Sequence, residues 1–494
     1  MKDSRTNRNN DQLRRKSTRG ASYQVIGGFW QICLRVGASV MLARILTPED
    51  FGIMGMVLLV TGLFSQVGFN GYTSAIIAKQ DLARKDLNTA FWLSVATGLL
   101  LFLILFLLAP FFEHIFNAPG LSSAIQAGAL IILLVAIGTV STARLTKDLR
   151  FGTITIISAI GVIMEMSLAI WFAFSGHGYW SLVWAWLIVE TIMMLAKLLC
   201  AKWLPGIQTS KDNLKFILRY FSSQFSNSIL VYLVMNVDRV VISWMLGPNA
   251  FGLYTFAIRL PSLIFARFAS PVSGIIFPML SKKNYSGNNA RLFEDYSNAA
   301  RYLALISFPL LTGLAALAEP LVLLLWGEQW RAIIIPMQIL CAAYAVSCVA
   351  SSVSAVFLAG HRPEILPKVT LIKLPLSYIF VTLSCLLWGL NGAAFGYFLR
   401  VLLIGFDYFV VKRLFGASFK YLLKQLLPAA IASLSCGLTA LCFMAGTNAL
   451  GISKIYGITL SIILGAASFL ITLRLFFKPV LDEASSMAKT VMAR

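Results

Sequence analysis

The stretch LTPEDFG, Leu46 to Gly52, returns as LGPNAFG at Leu246 to Gly252. Leu, Pro, Phe and Gly keep their places at an offset of 200 positions. Each copy separates two long apolar segments, 22–46 and 51–77 in the first case, 218–246 and 251–280 in the second. A proline between two such runs reads as a tight turn that opens the next helix. On this reading Pro48 and Gly52 shape the first turn, while Glu49 and Asp50 face the aqueous side away from the cytoplasm.

Composition sets the class around these turns. The chain has 494 residues, of which 58% are hydrophobic and 12% charged, about half the ~25% charge of an ordinary soluble protein. Apolar runs such as Phe91 to Ala109 approach the ~20 residues that cross a bilayer as a helix. They are too long and too uniform for the alternating strands of a membrane β-barrel. The pattern predicts helices over 22–46, 51–77, 90–109, 122–143, 152–174, 179–201, 218–246, 251–280, 299–325, 332–359, 368–387, 391–413, 424–445 and 452–477, fourteen in all. Sorting the intervening Lys and Arg by side leaves 32 on one face and two, Arg331 and Lys454, on the other. The positive-inside rule then puts both termini in the cytoplasm. Most of the formal net charge of +21 is therefore orientation signal rather than a nucleic-acid surface. The first apolar span is too long for the apolar segment of a cleaved leader and reads as a retained helix.

Several classes are excluded by what the sequence lacks. The loops are short, far below the ~50 residues of a catalytic domain. No Gly-Lys-Ser/Thr occurs, which removes the Walker A route to ATP hydrolysis. The three histidines, His114, His177 and His361, fall in separate loops, and the seven cysteines have no metal spacing. The expectation is a non-enzyme with no cofactor and no metal.

The offset of 200 residues equals six helices, so the chain reads as a parallel pseudo-repeat of two six-helix lobes. The expected organisation is a basic N-terminal segment 1–21, an N-lobe 22–203, a C-lobe 218–414, a terminal helix pair 424–477 and a tail 478–494. Seven cations fall inside helices: Arg35, Arg44, Arg239, Arg259, Arg267, Lys373 and Arg400. Each costs roughly 2.5–3.5 kcal/mol at a helix centre, so each should face water or a partner. The intramembrane acids are Glu165, Glu190, Asp238 and Asp407, with Glu319 nearer a helix end. In the first helix Gln24, Gly28, Gln31, Arg35 and Ser39 share one face. In the seventh Asn227 and Asp238 share a face, and Arg239 lies on the adjacent one. Arg259 and Arg267 stand about 80° apart on an ideal wheel, and Arg400 and Asp407 lie seven apart on one face. Arg35, Arg239, Arg259 and Arg267, with Gln31 and Asn227, are the candidate lining of a cationic cavity for an anionic, phosphate-bearing substrate. Asp238, Asp407 and Arg400 are the candidates for ion coupling. Lys373 and Arg44 are expected to snorkel towards the interfaces.

The segment ARILTPEDFGIMGM, the following run through GFNGY, the second turn LGPNAFGLYTFAIRLP and the fourteen-helix plan resemble the Wzx-type polysaccharide flippases. These belong to the multidrug/oligosaccharidyl-lipid/polysaccharide exporter superfamily, and the resemblance is strongest to colanic-acid-type exopolysaccharide exporters. It covers about residues 20–480. It implies a bacterial inner-membrane secondary transporter that moves a polyprenyl-pyrophosphate-linked oligosaccharide between leaflets by alternating access. It also implies cavity arginines in the leading helices of each lobe, where Arg35, Arg239, Arg259 and Arg267 stand, and a lipid-tail groove along 424–477. Polymerase and export machinery of the same pathway are the implied partners. The alternatives are a cation-coupled multidrug exporter, whose cavity should be acidic, and an integral-membrane glycosyltransferase or polymerase, which the short loops disfavour.

Overall fold

The computed structural model describes residues 28, 30–31, 33–79, 83–209, 211–282, 289–416 and 418–483. The N-terminal segment 1–21, Gln24, the tail beyond 483 and the side chain of Asn227 lie outside them. Every regular element among the described residues is helical. In order they are α1 (33–45), α2 (Pro48–Ala78), α3 (Arg84–Phe116), α4 (Leu121–Lys147), α5 (Phe151–Phe174), α6 (Trp180–Ala201), α7 (Lys211–Met235) and α8 (Val237–Ala257). Then follow α9 (Arg259–Ile264), a π-turn (Phe265–Ala269), α10 (Ser270–Ser281), α11 (Asn289–Ala316), α12 (Ala318–Leu325) and a 3₁₀ turn (Glu328–Ile333). The last are α13 (Ile334–Ala350), α14 (Val353–Ala359), α15 (Ile365–Leu402), α16 (Ile404–Phe415), α17 (Phe419–Ala449) and α18 (Lys454–Phe476). Contacts divide the chain into two compact units, Met1–Gly252 and Leu253–Arg494.

Eleven helical segments among the described residues are long and apolar enough to cross a membrane. The fourteen expected segments differ from these in three places. The first helix is described only in part. The span Val237–Ala257 contains the second turn, where Gly247 has φ 73° and ψ −172°. The span Ile365–Phe415 folds back at Trp388 and Gly389, the latter at φ 56°. Its two arms lie antiparallel, since a Cβ on Gly392 would stand 1.8 Å from the Ser384 carbonyl oxygen and one on Gly396 would stand 2.6 Å from Val381 Cα.

The first turn is a helix start rather than a loop. Thr47 caps α2: its Oγ1 accepts from the Asp50 amide at 3.2 Å, and Asp50 Oδ2 accepts from the Thr47 amide at 2.9 Å. This reciprocal box satisfies two orphan amides. Pro48 occupies the first helical positions, where its missing N–H costs nothing. Asp50 is therefore a capping residue. Leu46, 3% exposed, anchors the turn in a core with Leu42, Ala169, Ala173 and Ala185.

Gly52 does not shape the turn as the sequence suggested. It lies inside α2, and a Cβ there would stand 1.8 Å from the Pro248 carbonyl oxygen. Reciprocally, a Cβ on Gly252 would stand 1.8 Å from the Pro48 carbonyl oxygen and 3.0 Å from the Gly52 nitrogen. The two copies of the motif thus pack backbone to backbone, each glycine against the other's proline. From this crossing α2 and α7–α8 run antiparallel. Further along, Gly62 lies under the Tyr232 hydroxyl, 3.0 Å from a built Cβ, and Gly71 under Phe221 Cα, at 2.6 Å. Tyr232 Oη donates to the Leu59 carbonyl oxygen at 2.5 Å. Small residues let helix backbones approach in this way where lipid supplies no hydrophobic force between helices.

The second unit closes around α11, which packs on α13 and α17. Tyr296 is fully buried and shares a 2.8 Å hydrogen bond with the Tyr408 hydroxyl. The chain after α18 returns to α11. Arg301 Nη2 donates to Glu483 Oε2 at 2.6 Å, and Tyr302 Oη donates to Glu483 Oε1 at 2.6 Å. Arg301 also reaches Gln425 Oε1 at 3.1 Å.

Two expectations follow. Gly52→Ala or Gly252→Ala forces a backbone shift at the crossing and should lower stability by about 1–3 kcal/mol or more. Gly446→Ala, in open space, should leave it unchanged or raise it. Thermal unfolding of detergent-purified protein reads the difference, and equal melting temperatures for all three variants would refute the crossing. The Tyr302 hydroxyl, with Arg301, holds the Glu483 carboxyl below its usual 4.5. A lowered folded value means that the clasp stabilises above that pH and fades as the pH falls through the folded value. The melting-temperature gap between wild type and Glu483→Gln should therefore be present at pH 7 and shrink below about pH 4.

Candidate substrate-handling site

Gln31 lies four residues before Arg35 of α1, and both line a cavity of about 400 Å³ in the first unit. Glu165 on α5 and Trp186 and Glu190 on α6 add polar and aromatic groups to its lining, with Met54 and Leu58 of α2 among the apolar ones. Arg35 Nη2 lies 3.2 Å from Glu165 Oε2. The arginine side chain stays 47% exposed and the glutamate 22%. A half-exposed pair of this kind contributes only about 0–1 kcal/mol, so it neutralises charge without locking the guanidinium in place. Glu190 Oε1 lies 3.7 Å from Lys197 Nζ. The lining is therefore mixed in charge, with one arginine facing two carboxylates. A guanidinium is a planar fork of donors that matches carboxylate or phosphate oxygens. Here Glu165 occupies that fork, and a phosphate entering the cavity would compete with it.

Arg239 and Asp238 stand on the first turn of α8. The helix is interrupted at Asn236, between α7 and α8, and the Asn236 side chain links the two. Its Nδ2 donates to the Tyr232 carbonyl oxygen at 2.9 Å, and its Oδ1 accepts from Arg239 Nη1 at 3.1 Å. Asp238 is 1% exposed. Sequence reading missed Asn236, whose signal was a polar residue beside the Asp238–Arg239 pair.

The second unit holds Arg259, Arg267, Arg400 and Asp407. Arg259 lies over the Phe256 ring at 5.4 Å, and that ring stacks on Trp330 at 3.9 Å. Such cation–π contact offsets part of the cost of an arginine among apolar groups. Arg267 is exposed and sits in the π-turn 265–269. A π-turn bonds i to i+5 and inserts a residue into the helical count. The 80° separation of Arg259 and Arg267 expected from an ideal wheel is therefore not kept. Asp407 Oδ2 accepts from Lys373 Nζ at 2.6 Å, the side chains being 8% and 26% exposed. Lys373 thus turns inward to the acid instead of snorkelling. Arg400, one turn before α16, lies over the Tyr397 ring at 5.1 Å, and Tyr397 stacks on Tyr344.

The structure thus brings Gln31 and Arg35 together with Glu165 in one cavity and joins Asp407 to Lys373. Glu165 was visible as an intramembrane acid, but its partner is 130 positions away and no local pattern names it. Among the described residues no group of three or more His, Cys, Asp or Glu is placed to hold a metal ion.

Comparison with known proteins bears on what this arrangement serves. A family profile described as polysaccharide biosynthesis protein matches residues 41–335. The chain is 24% identical over 425 residues to the lipopolysaccharide biosynthesis protein WzxC of Escherichia coli (strain K12), spanning 84% of this chain and 85% of that one. It is 27% identical over 314 residues to the succinoglycan biosynthesis transport protein ExoT of Rhizobium meliloti (strain 1021), 63% of each. The solved structure of the lipid II flippase MurJ in an inward closed conformation shares its fold, with a TM-score of 0.74 and 16% identity over 92% of this chain and 99% of that one. With the profile matched over more than half of the chain, this multi-pass membrane protein belongs to the polysaccharide biosynthesis protein family.

Proposed function

We propose that the chain flips a polyprenyl-pyrophosphate-linked oligosaccharide across the bacterial inner membrane for exopolysaccharide or lipopolysaccharide assembly. The observation that carries this reading is Arg35, a cation inside an apolar helix that keeps 47% of its side chain open on a cavity. A buried structural cation would be covered by its partner; this one remains available to an anion. The names of the relatives, which concern lipopolysaccharide and succinoglycan, support a glycan cargo.

The proposed plan is fourteen crossings with both termini cytoplasmic. It comprises lobes 22–203 and 218–414 in a parallel pseudo-repeat and a terminal pair, 424–477, serving the lipid tail. Transport proceeds by alternating access, with Arg35, Arg239, Arg259 and Arg267 providing the anion-binding contacts and Gln31 and Asn227 polar ones. In this scheme the pyrophosphate displaces Glu165 from Arg35, and the released carboxylate restores the pair once the anion leaves. That exchange keeps the arginine compensated at every stage and avoids the cost of an unpaired cation. Asp238 and Asp407, with Arg400 near the latter, are the proposed coupling groups. Polymerase and export proteins of the same pathway are the proposed partners.

Complementation of a strain lacking the gene tests the assignment. Arg35→Ala or Arg267→Ala should reduce polymer export by about tenfold or more at equal membrane abundance, the loss of one charge-assisted contact. Unchanged export with either variant would sink its place in the cavity. The Lys373–Asp407 pair gives a second test. Removing one member of a buried pair costs about 3–5 kcal/mol, while replacing both by apolar residues is near neutral. Asp407→Ala should therefore lower the melting temperature, and adding Lys373→Met should restore it. If the doubly substituted protein is stable but exports no polymer, Asp407 acts in coupling; if it exports normally, the coupling role falls.

A further inference from the structure

The helix ends at one face of the first unit build a second pocket, of about 770 Å³, away from the Arg35 cavity. Four cations line it: Arg84 at the start of α3, Arg144 and Lys147 at the end of α4, and Lys202 just after α6. All four belong to loops that the positive-inside rule assigns to the cytoplasm, so their default reading is an orientation signal with solvated side chains. Local contacts account for half of them. Lys147 Nζ caps the end of α2 by donating to the carbonyl oxygens of Ile76 and Lys79. Arg144 shares Asp148, at 3.9 Å. Arg84 and Lys202 make no ion pair with an acid among the described residues.

A second, independent feature lies in the same wall. Trp203 is 6% exposed and lines the pocket, and its indole N–H finds no acceptor among the described residues. A buried donor without a partner costs about 1–3 kcal/mol. The loop that carries it is held in place rather than loose. Asn88 Oδ1 accepts from the Gly206 amide at 3.0 Å, and Asn88 Nδ2 donates to the Gln208 carbonyl oxygen at 3.0 Å. Trp92 Nε1 donates to the Gly206 carbonyl oxygen at 3.0 Å. Asp148, held by Arg144, is the one acid in the wall, and the rest is aliphatic, including Leu87, Leu199 and Leu204, of which the last two are 78% and 71% exposed at its rim.

We infer that this pocket binds a phosphate carried on a lipid, with Arg84, Lys202 and the Trp203 indole holding the phosphate oxygens and the leucine wall holding the first part of the chain. A free anion would use the cations and leave the leucines exposed; a neutral lipid would use the leucines and leave the cations and the indole unanswered. Basic pockets between membrane helices at the cytoplasmic surface suit anionic head groups for this reason. The lipid phosphate has two sources, an anionic glycerophospholipid of the inner leaflet or a prenyl pyrophosphate. The site is independent of the transport reading, since it shares no residue with the Arg35 cavity.

Native mass spectrometry of the full chain, delipidated in detergent, separates the outcomes. The probes are phosphatidylglycerol, a long-chain prenyl pyrophosphate, phosphatidylethanolamine and inorganic phosphate. The expected result is retention of one or both anionic lipids in preference to phosphatidylethanolamine, with affinity falling by about tenfold in Arg84→Gln/Lys202→Gln. Trp203→Phe, which keeps an aromatic side chain but loses the N–H, should weaken retention severalfold and guards against a folding defect in the double variant. Lys454→Gln, at an exposed cation that lines neither cavity, should bind as wild type, which controls for the loss of charge alone. Whichever anionic lipid loses affinity in the variants identifies the source. Equal retention by wild type and both variants, or equal affinity for phosphatidylethanolamine or for inorganic phosphate, overturns the proposal.

Discussion

The closest constraint in the first unit is a contact between two stretches of main chain. Gly52 faces the Pro248 carbonyl and Gly252 faces the Pro48 carbonyl, each with room for a hydrogen and none for a methyl group. The contact is reciprocal, as at an isologous interface, where one patch meets a copy of itself. Here both copies lie in one chain, 200 residues apart. A self-complementary contact of this kind requires the same residues on both sides, and that is a physical reason for the motif to appear twice. Proline supplies the carbonyl at a helix start, where that oxygen's amide partner lies four residues on, and glycine supplies the gap. Everything along the antiparallel α2 and α7–α8 pair, from Gly62 under Tyr232 to Gly71 under Phe221, follows the approach set at this end.

The second constraint is the expense of charge in an apolar medium, and the chain meets it in graded ways. Where both partners are largely covered, as with Lys373 and Asp407, the bond is short, 2.6 Å. Where the cation must stay accessible, the pair is longer and wetter, as with Arg35 and Glu165 at 3.2 Å. Arg259 and Arg400 lie over aromatic faces. A ring compensates a cation through its π-face and does not itself claim the guanidinium's hydrogen-bond donors. Arg239 takes the weakest option, a neutral amide three residues away.

Much of this was legible from residue order alone. Apolar run lengths located most of the spans without any knowledge of packing. The 200-residue offset identified the paired turns. The role of Gly52 was not legible, because a glycine near a proline reads as a turn residue unless the opposing backbone is known. The pairing of Arg35 with Glu165 was hidden for a different reason: five acids and seven cations admit many matchings, and only the packing of α1 on α5 selects one. The wheel angle between Arg259 and Arg267 failed because a single inserted residue in a π-turn rotates everything beyond it. The interruption at Asn236 disturbs the wheel of the preceding helix in the same way. Angle-based inference holds within a regular helix and decays at each irregularity, and irregularities gather where charged residues stand.

The charges assigned to topology also have local employment, and the two roles share a cause. α2, α4 and α6 all finish on the side that carries the excess of Lys and Arg, so their unpaired terminal carbonyls and the negative ends of their dipoles collect there. Cations on that side are favoured twice, by insertion and by the helix ends. Lys147 answers the carbonyls of Ile76 and Lys79, and Arg150 Nη1 reaches the Cys200 carbonyl oxygen at 2.8 Å. α3 begins on the same side, and a helix start offers amides rather than carbonyls. Arg84 therefore stands where no carbonyl needs it, and Lys202, past the end of α6 in a left-handed conformation, is turned out of its own helix axis. A cation that satisfies neither a helix end nor an acid is left for a ligand, and Arg84 and Lys202 open on the same pocket.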